Sequence, residues 1–418
     1  MTAQHAPIEW IDSPVALRRL LATLLIIALG NGAMYVVSVV LPAVQAEFGV
    51  SRGGAALPYT LLMIGFGAGG ILMGKVADRH GVMPPLVMGG VATCLGYVLA
   101  AQAQSLWAFS LAHGLILGLM GSAVTFAPLM ADTAQWWNRR RGIAVAVCAS
   151  GNYLAGAFWP PVVQWGIEHG GWRETYQTLG LVCGGGMLLL SLMFRVRPPM
   201  GGSAPAQPVG HAALTAWASE TPLGLPRIRA LMLLSVAGVA CCVAMSMPQV
   251  HIVAYCTDLG FGAARGAEML SLMLASGIVS RLLSGYVCDR IGGLRTLLLG
   301  SVLQGTALLL FLPFDGLVSL YLVSALFGLF QGGIVPSYAI IVREYFPAAR
   351  AGVQTGTVIM ATLLGMALGG WMSGAIFDLT GSYKAAFVNG IAWNLLNLSI
   401  AFYFYRRARA MGQLRQLG

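Results

Sequence analysis

Charged side chains are scarce in this chain. They make up 9% of its 418 residues, whereas soluble domains carry about 25%. The mean hydropathy is +0.77, and apolar segments recur along nearly the whole length. This composition excludes an ordinary soluble enzyme. It also leaves no soluble domain that could hold a nucleotide for a primary pump.

The motifs of enzyme chemistry are missing as well. The seven cysteines show neither metal-ligand spacing nor a disulfide framework. The sequence has no nucleophile elbow, no phosphate-binding glycine loop followed by lysine, and no histidine pair at metal spacing. We therefore expect no catalytic residue, no metal and no cofactor. The first apolar run is too long for the core of a signal peptide, so no cleavable secretion signal is expected.

The apolar segments predict an all-α polytopic membrane protein with twelve transmembrane helices. About twenty apolar residues in a helix are enough to cross about 30 Å of hydrocarbon. We number the helices span 1 to span 12 in chain order. They are predicted at 18–42, 55–76, 84–103, 106–131, 142–164, 175–194, 229–255, 266–287, 295–313, 317–342, 353–377 and 383–405.

The basic residues predict the orientation. Nineteen of the 24 fall on the side of the two termini, and four (Arg52, Arg173, Arg265 and Lys384) fall on the other. Because Lys- and Arg-rich loops stay in the cytoplasm, we expect both termini there, and the short loops suit a bacterial inner membrane. The net charge of +10 then reflects contact with anionic lipid and requires no nucleic-acid partner.

The chain contains two related halves. The loops GKVADRHG at 74–81 and GYVCDRIGG at 285–293 place Asp78 and Asp289 211 positions apart. GWRETY at 171–176 and SYKAAF at 382–387 repeat that offset, from Trp172 to Tyr383. Two independent matches predict a duplicated six-helix unit. We expect an N-terminal bundle at 1–194, a flexible cytoplasmic linker at 195–228 and a C-terminal bundle at 229–418.

The Asp-Arg loops after spans 2 and 8, in a chain of two six-helix halves, resemble the major facilitator superfamily over nearly the whole length. The resemblance implies two bundles with a substrate cavity between them near the membrane midplane, and alternating access by rocking. It also implies a cytoplasmic latch, in which each loop aspartate accepts hydrogen bonds from a helix N-terminus of the other half. Alternatively, these charges only set the topology. The gating candidates are Asp78, Arg79, Asp289, Arg290, Arg139, Arg140 and Arg141.

Arg281 is the charge placed deepest in an apolar segment. It lies in LSLMLASGIVSRLLSGYV at 270–287, where a charge is costly and usually faces a cavity or a ligand. Its counterpart in the first half, 211 positions earlier, is Gly70, so the repeated scaffold does not require it. A guanidinium can bind a carboxylate through two hydrogen bonds. Alternatively, Arg281 binds backbone carbonyls or extends to the interface.

The segment WWNRRRGIAVAVCASG at 136–151 is similar to the monocarboxylate-porter and oxalate–formate exchanger branch of the superfamily. The resemblance implies that the arginine of span 8 binds the substrate carboxylate. Two departures matter. The proton-coupling aspartate that animal members carry one turn earlier is Gly277 here, and span 11 lacks the lysine of the oxalate exchangers. One cation suits one carboxylate better than two, so a monocarboxylate is expected.

Other polar side chains within the spans could line the cavity, although such groups also form ordinary helix–helix hydrogen bonds. With Arg281, the substrate-binding candidates are Tyr35, Asn31, Asn152, Tyr153, Gln249, His251, Gln331, Tyr338 and Asn394. His113 and His251 are candidate proton carriers, because no carboxylate is expected deep within a span. Coupling could also involve no side chain, if the substrate enters protonated or exchanges for another anion.

These observations predict a secondary active transporter of a small organic anion, preferably a monocarboxylate. It would act as a monomer in the lipid bilayer, by proton symport or by anion exchange. Three alternatives remain: a dicarboxylate carrier, a carrier of neutral or amphipathic compounds, and a ligand sensor on the same scaffold. A sensor would bind its ligand without moving it.

Overall fold

The computed structural model describes residues 6–199, 222–346 and 351–413. Over these ranges the regular structure is helical and contains no strand. The greater part of the predicted linker, residues 200–221, lies outside the described residues.

Eleven helical stretches of the described chain are long and apolar enough to cross a membrane. One of them, Arg141–Phe194, has 54 residues, or about 80 Å of helix at 1.5 Å per residue. It breaks at Gly171, whose φ of 78° is not helical, so it comprises two spans. The prediction of twelve spans is confirmed. The spans are Pro14–Phe48, Arg52–His80, Met83–Gln102, Leu106–Trp136, 141–170, 172–194, Arg227–Asp258, Ala263–Ile291, Gly293–Leu310, Leu317–Tyr345, Gly352–Thr380 and Tyr383–Ala410.

Hydropathy alone placed the start of span 2 three residues late. The helix begins at Arg52, and the Ser51 side chain accepts a hydrogen bond from the N–H of Gly54 at 3.1 Å. Arg52 was predicted in an outer loop, yet it is only 8% exposed. The difference arises because the cap and tertiary partners decide a helix start, and hydropathy reports neither.

The twelve crossings give the molecule two faces. Both ends of the described chain reach the same face as Asp78 and Asp289, which we call the basic face. Arg52, Asp258 and Asp378 lie at the opposite ends of their spans, on what we call the distal face. The spans form two bundles of six.

Glycine allows close helix contacts both within and between the bundles. On span 11, Cβ atoms built at Gly365 and Gly369 would lie 2.4 Å and 2.6 Å from carbonyl oxygens of span 7, in the same bundle. One built at Gly374 would lie 2.8 Å from the backbone of Gly53 in span 2, in the other bundle. The close approach expected from the Gly-x3-Gly pairs of this span is confirmed.

Spans 2 and 11 contact each other from the distal face to mid-depth. At the distal end, Thr60 Oγ1 donates to the carbonyl of Ala367 at 3.1 Å. Further along the same spans, no described atom lies within 4 Å of a Cβ position at Gly74 or Gly356. The contacts reach as far as Met360, whose Sδ would lie 2.6 Å from a Cβ atom at Gly67.

Candidate functional site

Arg281 lies at mid-depth in span 8. It follows Ala263 by eighteen residues and precedes Ile291 by ten, which places it about 15 Å from the basic end of the helix. The side chain is partly buried. The helix bounds therefore place Arg281 near mid-membrane, the depth expected from the sequence.

The guanidinium of Arg281 contacts span 5 of the other bundle. Its Nη1 donates to the carbonyl of Ala149 at 2.8 Å, and its central carbon lies 4.5 Å from the ring centre of Tyr153. Its Nε is buried and has no hydrogen-bond partner among the described residues. Nor does any described carboxylate form an ion pair with it. The contact with a backbone carbonyl that the sequence offered as an alternative is present. It engages Nη1 and leaves the Nε–H of Arg281 without an acceptor.

Three other candidates lie close to Arg281. Tyr153 is 6% exposed and Tyr35 is 7% exposed, and the electrostatic neighbours of Tyr35 include Tyr153, Arg281 and Asn152. Asn152 carries a buried side-chain oxygen without a partner in the described chain. The structure therefore brings together Arg281, Tyr35, Asn152 and Tyr153, from spans 1, 5 and 8.

Gln249 and Gln331 form a separate pair. Gln249 Nε2 donates to Gln331 Oε1 at 3.2 Å, linking spans 7 and 10. The side-chain nitrogen of Gln331, Nε2, is buried without a described partner.

The remaining polar candidates make helix–helix hydrogen bonds. Asn31 interrupts span 1 and accepts from Thr125 of span 4 at 2.9 Å. Tyr338 donates to Asn397 at 2.8 Å, and Asn394 donates to Gln304 at 2.9 Å. These hydrogen bonds lie within single bundles, and none of them joins its residues to the Arg281 group, although Asn31 Nδ2 is buried without a described partner.

Both candidate proton carriers are fully buried and use both ring nitrogens. His113 contacts the Phe109 carbonyl at 2.8 Å and the Tyr176 hydroxyl at 3.2 Å. His251 contacts the Tyr383 hydroxyl at 3.1 Å and the Gly370 carbonyl at 2.8 Å. Each histidine is held by neutral partners of its own bundle.

The aspartates of the repeated loops are exposed on the basic face. Among the described residues, neither Asp78 nor Asp289 has a hydrogen-bond or ion-pair partner. Arg79 is likewise exposed, and Arg290 lies over the ring of Tyr286 in its own helix at 4.5 Å. The latch suggested by the resemblance is not formed by these residues in this conformation.

The arginine triple 139–141 lies at the start of span 5. The backbone N–H of Arg139 donates to Asp12 at 3.1 Å, and Arg141 Nε donates to the Trp137 carbonyl at 3.0 Å. Arg140 is exposed. These contacts stay within the first bundle.

Sequence reasoning missed a charged cluster that joins the bundles on the distal face. Arg52 Nη2 binds both oxygens of Asp258, at 2.9 Å and 3.2 Å. Asp378 accepts from the backbone N–H groups of Arg52 and Gly53, at 2.7 Å and 2.8 Å. The guanidinium also lies 4.9 Å from the ring centre of Phe377. Spans 7 and 11 are thereby tied to the N-terminus of span 2.

The repeat offset could have pointed to this cluster. Asp258 stands 211 positions after Glu47, the offset that relates the two halves. Glu47 binds Trp172 and Arg173 within its own bundle, whereas Asp258 binds Arg52 of the other bundle. Equivalent carboxylates thus have different partners, and a sequence pattern does not report partners.

Comparison with known proteins gives concordant matches. The profile of the Major Facilitator Superfamily matches residues 22–319 and 269–417. Monocarboxylate transporter 13 of Bos taurus is 29% identical over 321 residues, covering 75% of this chain and 71% of that protein. Monocarboxylate transporter 11 of Homo sapiens is 27% identical over 351 residues, covering 80% and 71%.

Solved structures show the same fold. A bacterial homolog of the human lysosomal transporter Spinster, in an inward-facing and unoccupied conformation, superposes with a TM-score of 0.74 at 14% identity, over 97% of this chain and 100% of that one. The human organic anion transporter MFSD10 (TETRAN) gives a TM-score of 0.68 at 19% identity, over 93% and 100%.

Proposed function

This chain belongs to the major facilitator superfamily and is a membrane transporter of small molecules, and from that premise we propose that it carries a small organic anion, a monocarboxylate, by alternating access. Arg281 is the group that binds the carboxylate. Tyr35, Asn152 and Tyr153 complete the binding site.

The observation that carries this proposal is the unsatisfied state of Arg281. A guanidinium at mid-depth is costly unless it is compensated, and its described contacts are the Ala149 carbonyl and the Tyr153 side chain. Both are neutral, so a positive charge remains. A carboxylate would neutralise it and would supply two acceptors in the geometry that guanidinium favours.

Two further facts support a monocarboxylate. The relatives named monocarboxylate transporters cover about three quarters of this chain. The described contacts around Arg281 bring no second cation to it, which fits a substrate with one carboxylate better than one with two.

The contacts between the bundles support alternating access. The distal ends are joined through Arg52, Asp258 and Asp378, while Asp78 and Asp289 are unpaired within the described chain on the basic face. This arrangement fits a carrier that is open towards the basic face. With the termini in the cytoplasm, as the basic residues indicate, the opening faces inward.

Coupling follows one of two routes. Since both ring nitrogens of His113 and of His251 are already engaged by buried neutral hydrogen-bond partners, we propose that no side-chain proton carrier is needed. The substrate then moves either with its own proton or in exchange for another anion.

The test is uptake of a panel of labelled monocarboxylates into proteoliposomes, with and without an imposed pH gradient. Arg281→Gln should abolish saturable uptake. Arg265→Gln is the matched control, because Arg265 lies in the same helix but is exposed and pairs with Glu268. The control should transport as the wild type does. Equal uptake by the Arg281→Gln and wild-type proteins would refute the role of Arg281, and the response to pH separates symport from exchange.

A further inference from the structure

Spans 5 and 8 pack against each other in antiparallel order, and each has a glycine against which a large side chain of the other span packs. A Cβ atom at Gly277 of span 8 would lie 2.5 Å from the Tyr153 ring of span 5. A Cβ atom at Gly156 of span 5 would lie 2.1 Å from Leu274 of span 8. Each glycine therefore leaves the space into which a large side chain of the other bundle fits.

The ring that fills the space at Gly277 also covers Arg281. Gly277 lies one helical turn before Arg281, and the Tyr153 ring centre is 4.5 Å from the guanidinium carbon. Any side chain at position 277 would meet that ring at a distance that atoms do not tolerate. The ring would have to leave its place against the guanidinium.

The backbone of the same turn also packs closely against span 10. A Cβ atom at Gly332, in the break of span 10, would lie 2.6 Å from the Gly277 carbonyl and 2.9 Å from the Arg281 nitrogen. Span 8 therefore has no free space on its span 10 side that would accommodate a larger residue at 277. The tyrosine ring would have to absorb the displacement.

We propose that Gly277 is a positioning residue for the substrate: its missing side chain admits the Tyr153 ring, and the ring holds the Arg281 guanidinium in the orientation that receives the carboxylate. The inference rests on the proposed role of Arg281 in binding. The ring fixes one face of the guanidinium and the Ala149 carbonyl fixes Nη1, so the free donors keep one direction. A guanidinium held in this way loses less conformational entropy on binding than a mobile one.

The space beside position 277 is thus filled by the ring of the opposite bundle. A cation over an aromatic face keeps its full charge, whereas a carboxylate would compensate it. Gly277 consequently determines both the orientation of Arg281 and its net charge before substrate arrives.

The experiment measures carboxylate affinity on purified protein and KM and maximal rate in proteoliposomes, using the monocarboxylate with the highest uptake. Gly277→Ala should raise KM and the dissociation constant about tenfold, the scale of a desolvated cation–π contact, with a smaller change in maximal rate. Gly185→Ala is the matched control: it is a helical glycine of span 6 with no described atom within 4 Å of its Cβ position, and it should behave as the wild type.

Two tyrosine variants test the same contact without crowding the helix interface. Tyr153→Leu, which removes the ring, should reproduce the loss of affinity, and Tyr153→Phe, which removes only the hydroxyl, should lose less affinity than Tyr153→Leu. The double variant Gly277→Ala/Tyr153→Leu should bind the carboxylate no more weakly than the single variant of lower affinity. Both changes remove the same contact between the ring and the guanidinium, so their effects should not add.

The outcomes separate the two proposals. If Arg281→Gln abolishes binding but Gly277→Ala and Tyr153→Leu both bind as the wild type does, the positioning role is wrong, whereas the binding of the carboxylate by Arg281 stands. Additive losses in the double variant would also overturn the positioning role. If Arg281→Gln binds normally, the proposed function itself fails.

Discussion

At the scale of single residues, Arg281 contrasts with Arg19, a buried arginine of span 1 in the first bundle. Arg19 is 6% exposed and binds Asp132 of span 4 through two hydrogen bonds, at 2.8 Å and 2.9 Å. Its remaining nitrogen donates to the carbonyls of Met193 and Val196 in and after span 6. Arg19 therefore has a built-in carboxylate, whereas Arg281 has none among the described residues. Only the latter has donors to offer a ligand.

The ion pair of Arg19 should be a determinant of stability. Arg19→Gln leaves Asp132, which is 2% exposed, as an uncompensated charge, and breaking such a buried pair costs about 3 kcal/mol or more. We expect a clearly lower midpoint of thermal unfolding in detergent. Arg18→Gln, an exposed neighbour, should leave the midpoint nearly unchanged. If the two variants unfold at the same temperature, the pair does not contribute to stability.

Arg281 could be located from the sequence because a charge inside an apolar run is visible without any knowledge of contacts. Tyr153, Asn152 and Tyr35 were named as candidates because they are polar groups within spans. The same criterion also named Asn31, Tyr338 and Asn394, which bond to neighbours in their own bundles. Composition cannot separate the two sets, since both are polar groups in apolar helices and only the packing of the helices distinguishes them.

At the scale of the elements, the number of spans followed from segment length, and their contacts followed in part from glycine. Span 11 carries glycines on two faces: Gly365 and Gly369 meet span 7, whereas Gly370 and Gly374 meet Tyr59 and Gly53 of span 2. The repeated spacing indicated close approach. It could not indicate that one pair packs within a bundle and the other between bundles.

The glycines between bundles should control how closely the distal ends approach. Gly374→Ala would place a methyl group 2.8 Å from backbone atoms of Arg52 and Gly53, and backbone yields less readily than a side chain. We expect the distal ends of spans 2 and 11 to separate. An impermeant thiol reagent should then label a cysteine introduced at Thr60 faster than in the parent. Gly356→Ala in the same helix, where no described atom lies within 4 Å, should not change the rate. An unchanged rate for Gly374→Ala would contradict the expectation.

At the scale of the whole molecule, the repeat predicted two equivalent bundles, and the structure shows where equivalence ends. Glu47 and Asp258 occupy matching positions but bind within a bundle and between bundles, respectively. Gly70 and Arg281 likewise match by offset and differ in chemistry. The departures from the repeat coincide with the proposed binding site and with the distal contact. Positions that build the helical scaffold keep similar residues in the two halves, whereas positions that bind a ligand or join the bundles can differ.

The distal cluster should hold the carrier in the conformation described here. Asp378→Asn keeps the shape of the side chain but removes its charge, and hydrogen bonds to charged acceptors are roughly twice as strong as neutral ones. We expect a larger population with the distal ends apart, measured as a longer distance between spin labels at Gln104→Cys and Val318→Cys, which are exposed and lie in different bundles. Asp315→Asn is the control, because Asp315 pairs with Lys384 inside one bundle. Identical distance distributions for the two variants would show that Asp378 does not close this face.

The division of the Arg281 group between the bundles has a consequence for fragments of the chain. The guanidinium belongs to the second bundle, while the ring and the carbonyl that orient it belong to the first. A chain cut between residues 200 and 221 would yield two fragments, neither of which contains an oriented guanidinium. Ligand affinity would return only when the fragments reassociate, and it would report their complementation rather than the folding of either one.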